Sequence, residues 1–288
     1  MLPDPIVLTP ELAREADKRW EEFRASPAFA SAEGYISPEL ALRLKSAFAV
    51  SDFLLKSCAR NAEMTAALLE SGDLLRAYDP GAYARSLDAL LEDARDEAAL
   101  SRILRLFRRR EMIRIAFRDL CGLADLGETT GDLSELAEAC LETALTRLHG
   151  WHCDLLGTPL DGAGTPQRLV VFGMGKLGAR ELNFSSDIDL IFAYPKAGMT
   201  SGGPRSVTNE EFFTRLSRRL IQVLGGTTVD GFVFRVDMNL RPYGESGPMV
   251  MSFDAVESYY QEQGREWERY AWIKARPVAG GTAAGFRP

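Results

Sequence analysis

The spacing of apolar residues changes near residue 155, and this change constrains the fold more than any other feature of the sequence. Up to that point apolar residues recur every three or four positions, which is typical of helices. Beyond it they form short runs and alternating patterns, which are typical of strands. We therefore expect an α+β protein with a helical bundle at 1–156, a mixed sheet with helices at 157–254, and the start of a further helical segment at 255–288.

The composition excludes several classes of protein. A chain of 288 residues with 46% apolar side chains can bury a core, and its apolar runs are shorter than the roughly 20 residues that a membrane span needs. The net charge of −7 argues against nucleic-acid binding, which depends on a basic surface. The N-terminus lacks a secretory signal pattern, and the four cysteines form no CxxC pair. We expect reduced thiols, a cytoplasmic location, and neither nucleic acid nor a membrane as partner.

Three segments of the second half are predicted to be strands: RLVVFG (168–173), DIDLIFAY (187–194) and FVFRVDMNLRP (232–242). A helix is predicted between the second and the third, because Thr208 and Glu211 form a possible capping box. The stretches 157–167 and 195–207 are rich in Gly and Pro and are predicted to be loops.

Three aspartates stand out in the predicted strands. Asp187 and Asp189 are two positions apart, so their side chains point to the same face, about 6–7 Å from each other. Asp237 belongs to a polar strand face that also carries Arg235 and Arg241. Carboxylates crowded in this way suit Mg²⁺, and three of them could hold two ions of the kind used in phosphoryl-type transfer. The alternative is that these acids are ordinary turn and edge residues.

A glycine-rich turn follows the first of these strands. Gly173, Gly175 and Gly178 have the G-x-G-x-x-G spacing of a dinucleotide-binding turn. That interpretation also requires a long helix and an acid at the end of the next strand, and the sequence offers neither. In the alternative that we favour, Gly173 and Gly175 let the backbone approach a nucleotide's phosphates, while Lys176 supplies a positive charge and Ser186 a hydroxyl.

Several other groups of residues have a functional and a structural interpretation. A zinc site is one interpretation of His149, His152 and Cys153, although they lack a second ligand pair. The arginines between 102 and 118 could dock an acidic partner or form local ion pairs. The aromatic residues Trp267 and Tyr270 are predicted to pack rather than to stack on a base. The nucleotide could be within reach of Lys274 and Arg276.

Four stretches of the sequence carry a family resemblance. The segment GMGKLGARELNFSSDIDLIFAYP resembles the signature of the glutamine synthetase adenylyltransferase/deadenylylase family, which belongs to the DNA polymerase β-like nucleotidyltransferases. FRVDMNLRPYGESGPMVMSF and YYQEQGREWERYAWIKARPVAG resemble its next two blocks, and LFRRREMIRIAFRDL (106–120) resembles part of its helical region. The resemblance covers roughly residues 100–280 and implies a polymerase β-like mixed sheet in the second half of the chain.

The resemblance also implies a reaction. In this family an N-terminal half removes AMP from a tyrosine of glutamine synthetase with inorganic phosphate and releases ADP, and a C-terminal half attaches AMP from ATP. The NFSSDIDLIF segment is more similar to the deadenylylating half, in which Asp187 and Asp189 correspond to the metal-binding pair and Asp237 to the third acid. The implied cofactor is Mg²⁺, and the implied partners are glutamine synthetase and, for the full-length family protein, the PII signal protein that links it to nitrogen regulation.

Two alternatives stay open beside this expectation. One is a nucleotidyltransferase with another acceptor, such as RNA ends or a small signal protein. The other is a truncated, non-catalytic nucleotide-binding module, because the family protein continues for several hundred residues beyond the point that corresponds to Pro288. We expect the second catalytic half to be missing from this sequence.

Overall fold

The computed structural model of the protein describes residues 8–283 and 286. It combines helices with small mixed sheets, which confirms the predicted α+β class. The chain forms two compact units: the described part of Met1–Ala82 with Leu106–Leu133, and Tyr83–Arg105 with the described part of Ser134–Pro288. The predicted domain boundaries at 156 and 254 stay predictions. Among the described residues, every helix is too short or too polar to cross a membrane.

The first half of the chain is helical, as predicted. Three of its helices begin in the same way: Thr9, Ser26 and Ser37 each accept a hydrogen bond from a backbone N–H of the first turn, and each is followed by proline, which needs no such partner. The helices are α1 (Pro10–Arg24), α2 (Pro27–Ala32), α3 (Pro38–Val50), α4 (Asp52–Arg60), α5 (Ala62–Ser71), α6 (Ala82–Leu90), α7 (Glu97–Leu120) and α8 (Leu126–Leu156).

Three of the seven arginines of α7, Arg105, Arg114 and Arg118, are buried. Arg114 is fully buried, where it donates to Asp132 (2.9 Å) and to the carbonyl of Arg76 (2.7 Å). Its guanidinium also lies 3.4 Å from the centre of the Tyr78 ring. Arg118 is 3% exposed and pairs with Glu128. Buried guanidinium groups are tolerated because each is paired and hydrogen-bonded. The interpretation of this stretch as a docking face is therefore wrong for these residues.

Among the residues that the structure describes, seven strands follow α8. They are β1 (Thr158–Asp161), β2 (Val170–Gly173), β3 (Ile188–Tyr194), β4 (Gly198–Ser201), β5 (Val236–Asp237), β6 (Val250–Ser252) and β7 (Arg276–Gly280). The main sheet has the order β5-β3-β2-β7, and β6 pairs with β3 as well. In this sheet β2 is antiparallel to both β3 and β7, whereas β5 and β6 run parallel to β3. A separate antiparallel pair consists of β1 and β4.

The described part of the second half also contains four α-helices: α9 (Gly175–Gly178), α10 (Asn209–Gly225), α11 (Phe253–Glu262) and α12 (Glu266–Ala271). On one side of the sheet, Val170, Phe172 and Ile191 share a buried cluster with Phe253 and Val256 of α11. The predicted helix after Thr208 is confirmed as α10, whose Glu211 N–H donates to the Thr208 hydroxyl (3.1 Å). The apolar face of α10 is buried, and its Phe213 ring stacks on Tyr194 at the end of β3.

Three of the predicted segments differ from the structure. The two stretches predicted as loops contain the paired strands β1 and β4, which form because distant residues supply each other's hydrogen bonds. The segment 232–242 forms only the two-residue strand β5, and its alternation fails because the adjacent Val233 and Phe234 are both buried. The helical prediction from 255 onward holds for α11 and α12, but β7 then returns to the sheet beside β2.

Candidate functional site

Asp189 and Asp237 lie opposite each other on neighbouring strands. They are register partners in the parallel pairing of β3 with β5, so their side chains lie on the same face of the sheet. Both oxygens of the Asp237 carboxylate accept hydrogen bonds from Asn239, one from its backbone N–H (2.7 Å) and one from its amide (3.3 Å). The short turn after β5 therefore fixes the carboxylate of the third predicted acid.

The three predicted acids influence one another electrostatically. Burial raises the pKa of Asp189, and the negative charges of Asp237 and Asp187 raise it further, while Lys176 acts in the opposite direction. Asp187 immediately precedes β3, two residues before Asp189. The backbone therefore brings all three carboxylates to one end of the sheet and crowds negative charge there. Oxygen donors under mutual repulsion are the kind of donor set that a divalent cation suits.

Asp187 is held by Arg235. The Nε of Arg235 donates to Asp187 Oδ1 at 2.5 Å, and its Nη2 donates to the carbonyl of Ser185 at 2.8 Å. Among the described residues, no group of three or more His, Cys, Asp or Glu side chains could hold a metal ion as it stands. Asp187 and Asp237 instead accept hydrogen bonds from Arg235 and Asn239.

The glycine-rich turn lies directly against these acids. Gly175 has φ = 52°, and a Cβ atom there would be 3.2 Å from Oδ2 of Asp189. A side chain at this position would therefore be strained and would crowd the carboxylate. Gly178 packs even more closely, because its Cβ would lie 1.9 Å from the carbonyl oxygen of Lys274. Gly173 lies against Val278 of β7, at the floor of the turn.

The dinucleotide-binding interpretation of these glycines is wrong. It requires a parallel β-α-β unit, whereas β2 and β3 are antiparallel and only the four-residue α9 lies between them. Antiparallel strands need no long crossover helix, which explains why so short a segment connects the turn to β3.

The predicted basic and hydroxyl groups divide into two sets. Lys176 Nζ lies 3.4 Å from Ser186 Oγ, which in turn donates to Asn183 at 2.6 Å, so both side chains border the acids together with Arg235. Arg241 instead donates to the carbonyls of Met238 and Glu245 (both 2.8 Å) and stabilises the turn that follows β5. Its predicted contact with phosphate stays a prediction.

The other candidates of the sequence have mainly structural contacts. Lys274 pairs with Glu181 and Arg276 with Glu138, each at 2.6 Å. His152 Nδ1 lies 2.9 Å from the carbonyl oxygen of Leu148, and the rings of both His149 and His152 contact Phe212. The alternative of a zinc site at these histidines has no support among the described residues, and all four cysteines are free thiols.

Asn239 is not among the residues predicted for the site, and the packing predicted for the aromatic residues of α12 is not found. The only signal for Asn239 is its position two residues after Asp237, where a side-chain amide can hydrogen-bond a carboxylate. Trp267 and Tyr270 are predicted to pack, yet they are 53% and 74% exposed. The six-residue helix α12 is too short to bury both of its aromatic residues.

The residue types that meet at this strand end are three carboxylates, an ammonium group and a glycine turn, as in sites that handle phosphate groups. Comparison with known proteins then gives the family: the chain belongs to the glutamate-ammonia ligase adenylyltransferase family, whose model matches residues 41–287. This match includes every residue of the candidate site and confirms the resemblance noted in the sequence.

Individual relatives support the same assignment. The chain is 57% identical over 238 residues to the bifunctional glutamine synthetase adenylyltransferase/adenylyl-removing enzyme of Nitrosococcus oceani, covering 82% of this chain and 25% of that protein. The enzyme of the same name from Pseudomonas aeruginosa is 56% identical, with 82% and 24% covered. That of Hahella chejuensis is 50% identical over 285 residues, with 98% and 29% covered. The chain thus spans about a quarter of the length of these relatives.

Proposed function

We propose that the chain is a nucleotidyltransferase that removes AMP from an adenylylated tyrosine of glutamine synthetase by phosphorolysis, giving ADP. The observation that carries this proposal is the register of Asp189 opposite Asp237, with Asp187 two residues before and the Gly175 backbone against the Asp189 carboxylate. The relatives' name, which includes an adenylyl-removing activity, supports the reaction. The similarity of NFSSDIDLIF to the deadenylylating half supports its direction.

The reaction is a displacement at the phosphorus of the adenylyl group. An oxygen of inorganic phosphate forms a bond to this phosphorus while its bond to the tyrosine oxygen breaks. The electron pair of the broken bond stays on the phenolic oxygen, which then takes up a proton from water. Lys176 and Arg235 lie beside the acids and balance the negative charge of the phosphate oxygens.

We propose that two Mg²⁺ ions act with these residues. Asp187 and Asp189 would hold both ions, and Asp237 the one nearer the nucleophile. When bound, Mg²⁺ steadies the charge that develops on the attacking and leaving oxygens. Arg235 donates to Oδ1 of Asp187, so an ion held at that oxygen would compete with the guanidinium, which could then contact phosphate.

The wider setting of this activity is part of the same proposal. The helical first half precedes a polymerase β-like nucleotidyltransferase domain, the protein works in the cytoplasm, and glutamine synthetase is its protein substrate. The PII signal protein is the expected regulator of the full-length family protein. Nucleic acid and membranes are not among the proposed partners.

The test is ADP release from adenylylated glutamine synthetase in the presence of phosphate and Mg²⁺. We expect the double variant Asp187→Asn with Asp189→Asn to lose at least about 100-fold in rate, because electrostatic groups at the reacting phosphorus typically contribute this much. Asp93→Asn is the matched control, since the Asp93 side chain is fully exposed. Unchanged turnover of the double variant would refute the assignment of the acids.

A parallel assay separates the two directions of transfer. Unmodified glutamine synthetase and ATP labelled at the α-phosphate replace the adenylylated protein. ADP release without label transfer supports deadenylylation, whereas label transfer without ADP release means that the chain carries the opposite activity. If neither reaction occurs although ADP and Mg²⁺ bind, the chain is a nucleotide-binding module and the catalytic proposal fails.

A further inference from the structure

A cleft next to the candidate site has no role in the function proposed so far. Its volume is about 360 Å³, within the range typical of small-molecule sites. It lies between the turn that follows β5 and the segment that connects α11 with α12. The lining residues are Asn239, Tyr243, Gly244, Ser246, Tyr259, Gln263, Arg265, Trp267 and Glu268.

Asn239 links this cleft to the acids. Its backbone N–H and its amide nitrogen both bind the Asp237 carboxylate, and the same residue lines the cleft. A molecule in the cleft that contacts Asn239 is therefore separated from Asp237 only by the Asn239 side chain. This arrangement suits a ligand of which one part reacts at the acids while another part is bound in the cleft.

The cleft presents aromatic rings at its surface. Trp267 is 53% exposed and Tyr243 is 43% exposed, although large rings are ordinarily covered. Tyr243 has φ = 63°, a conformation that disfavours residues with a side chain, and its ring centre lies 4.4 Å from that of Tyr259. Residues held in this conformation cluster at active sites, ligand clamps and switch regions.

A buried hydrogen-bond network holds the cleft in shape. The Tyr259 hydroxyl donates to Oε1 of Glu268 (2.7 Å), and the backbone N–H of Arg265 donates to Oε2 (2.8 Å). Glu268 is only 7% exposed, so these bonds are protected from competing water. They connect α11 to α12 and fix the helix that carries Trp267. A cleft fixed before binding loses less entropy when it binds a rigid, flat ligand.

The amide of Gln263 is a polar group of the cleft that can pair with the edge of a nucleobase. The Gln263 side chain is exposed and forms no side-chain hydrogen bond within residues 8–283 and 286. A primary amide pairs with adenine through two hydrogen bonds, because it offers one donor and one acceptor at matching spacing. Aromatic faces bind bases by stacking. Exposed rings together with an available amide thus provide both elements of nucleobase binding.

From these observations we infer that this cleft binds the adenine ring of the adenylyl group, with the ring stacked on Trp267 and its edge contacting Gln263. The inference rests on the proposed function, because it places the phosphorus of the same nucleotide at the acids. A protein segment around the target tyrosine is the competing occupant. The cleft favours the base because a flat ring fills a small aromatic cleft, whereas an extended peptide needs a longer groove.

The test is calorimetric titration of the 288-residue chain with ADP and Mg²⁺. Trp267→Ala should weaken ADP binding roughly 5- to 150-fold, the range for loss of one base–aromatic stack. Tyr270→Ala is the matched control, because Tyr270 is an exposed aromatic residue of the same helix that does not line the cleft. Binding of inorganic pyrophosphate, which has no base, should be the same in all three proteins.

A second measurement does not depend on how the variants fold. Photolabelling with 8-azido-ADP should modify a peptide that contains Tyr243 or Trp267, and unlabelled ADP should suppress it. Unchanged ADP affinity in both Trp267→Ala and Gln263→Ala, or labelling confined to other peptides, would overturn the inference. A titration with a peptide around the target tyrosine gives a further outcome. If the two variants bind this peptide more weakly but bind ADP normally, the cleft holds the acceptor and the inference is overturned.

The outcomes for this cleft and for the reaction can be told apart. If ADP binds in the cleft but adenylylated glutamine synthetase is not turned over, the function fails and the base site stands. If turnover occurs while both cleft variants bind ADP normally, the function stands and the base lies elsewhere.

Discussion

Arg235 donates to the carboxylate of Asp187 at 2.5 Å, although the two residues are 48 positions apart in the chain. Both side chains are about half exposed, so the interaction is one that solvent and ligands can replace. It places a cation beside the acids at this end of the sheet. In the proposed function, this guanidinium would compete with Mg²⁺ for Oδ1 of Asp187 and would then be available to phosphate.

This competition gives the first prediction. Arg235→Gln should tighten Mg²⁺ binding in the absence of nucleotide by roughly two- to fivefold, the amount expected from losing one exposed ion pair. The same variant should raise the KM for phosphate, because a charged donor is lost. Calorimetric titration with Mg²⁺ and a phosphate saturation curve measure the two effects.

Arg215→Gln is the matched control for Arg235. Arg215 also forms an exposed ion pair at 2.5 Å, with Glu211, but it lies on α10 and not beside the predicted acids. The Arg215→Gln variant should bind Mg²⁺ with the same affinity as the unaltered chain. If the two variants bind Mg²⁺ with equal affinity, Arg235 does not compete with the metal for Asp187.

The second prediction concerns acid pH. Burial lowers the pKa of His149 to about 4, from its usual value of 6.5. As pH falls below 6.5 the unfolded chain takes up a proton that the folded chain excludes, so stability is lost between pH 6.5 and 4. The loss on going from pH 7 to pH 5 should be about 2 kcal/mol in the free energy of unfolding.

Urea unfolding of the unaltered chain and of His149→Leu measures this loss. The leucine variant should lose about 2 kcal/mol less than the unaltered chain over the same pH interval. Leu155→Ala, at an exposed position of the same helix, controls for a general effect on α8. An identical pH dependence in His149→Leu would show that another group is responsible.

The third prediction tests the close packing of the glycine turn. In Gly178→Ala the new Cβ would lie 1.9 Å from the carbonyl oxygen of Lys274, so the backbone must shift. We expect a loss of about 2 kcal/mol or more in the free energy of unfolding, as for other overpacked sites. Because the turn also contacts Asp189 through Gly175, nucleotide affinity should fall as well.

Gly150→Ala provides the comparison for Gly178. Gly150 lies within α8, and a methyl group added there would have no atom within 4 Å apart from the adjacent backbone of its own helix, so alanine should stabilise the helix by up to about 1 kcal/mol. Thermal unfolding of the two variants should thus shift in opposite directions. If the unfolding temperatures of both variants shift in the same direction, the close contact between Gly178 and Lys274 does not exclude a side chain at position 178.

Elements with local signals were predictable from the sequence. The helix α10 has a threonine cap at its start, a regular apolar face and glycines at its end, and each of these signals acts within a few residues. The strand β3 has a continuous apolar run that is buried on both faces. In both cases the residues that determine the element lie within it or directly beside it in the sequence.

Elements that depend on distant partners were not predictable in this way. The strands β1 and β4 have neither an apolar run nor alternation, and each is a strand only because the other one binds it. Aspartates at 187, 189 and 237 could be identified as candidates from residue type and resemblance. Their arrangement depends on the parallel register of β3 with β5, and no local pattern specifies a register between segments about 45 residues apart.

The last strand of the main sheet has a consequence for how the protein is made. β2, which carries the glycine turn at its end, pairs with β7, and Gly173 and its partner Arg276 are 103 positions apart in the chain. At the usual speed of synthesis, about 5–20 residues per second, the ribosome needs roughly 5–20 s to cover that distance. During this interval one edge of β2 has no strand to pair with, and the nascent chain exposes it to chaperones and to other chains.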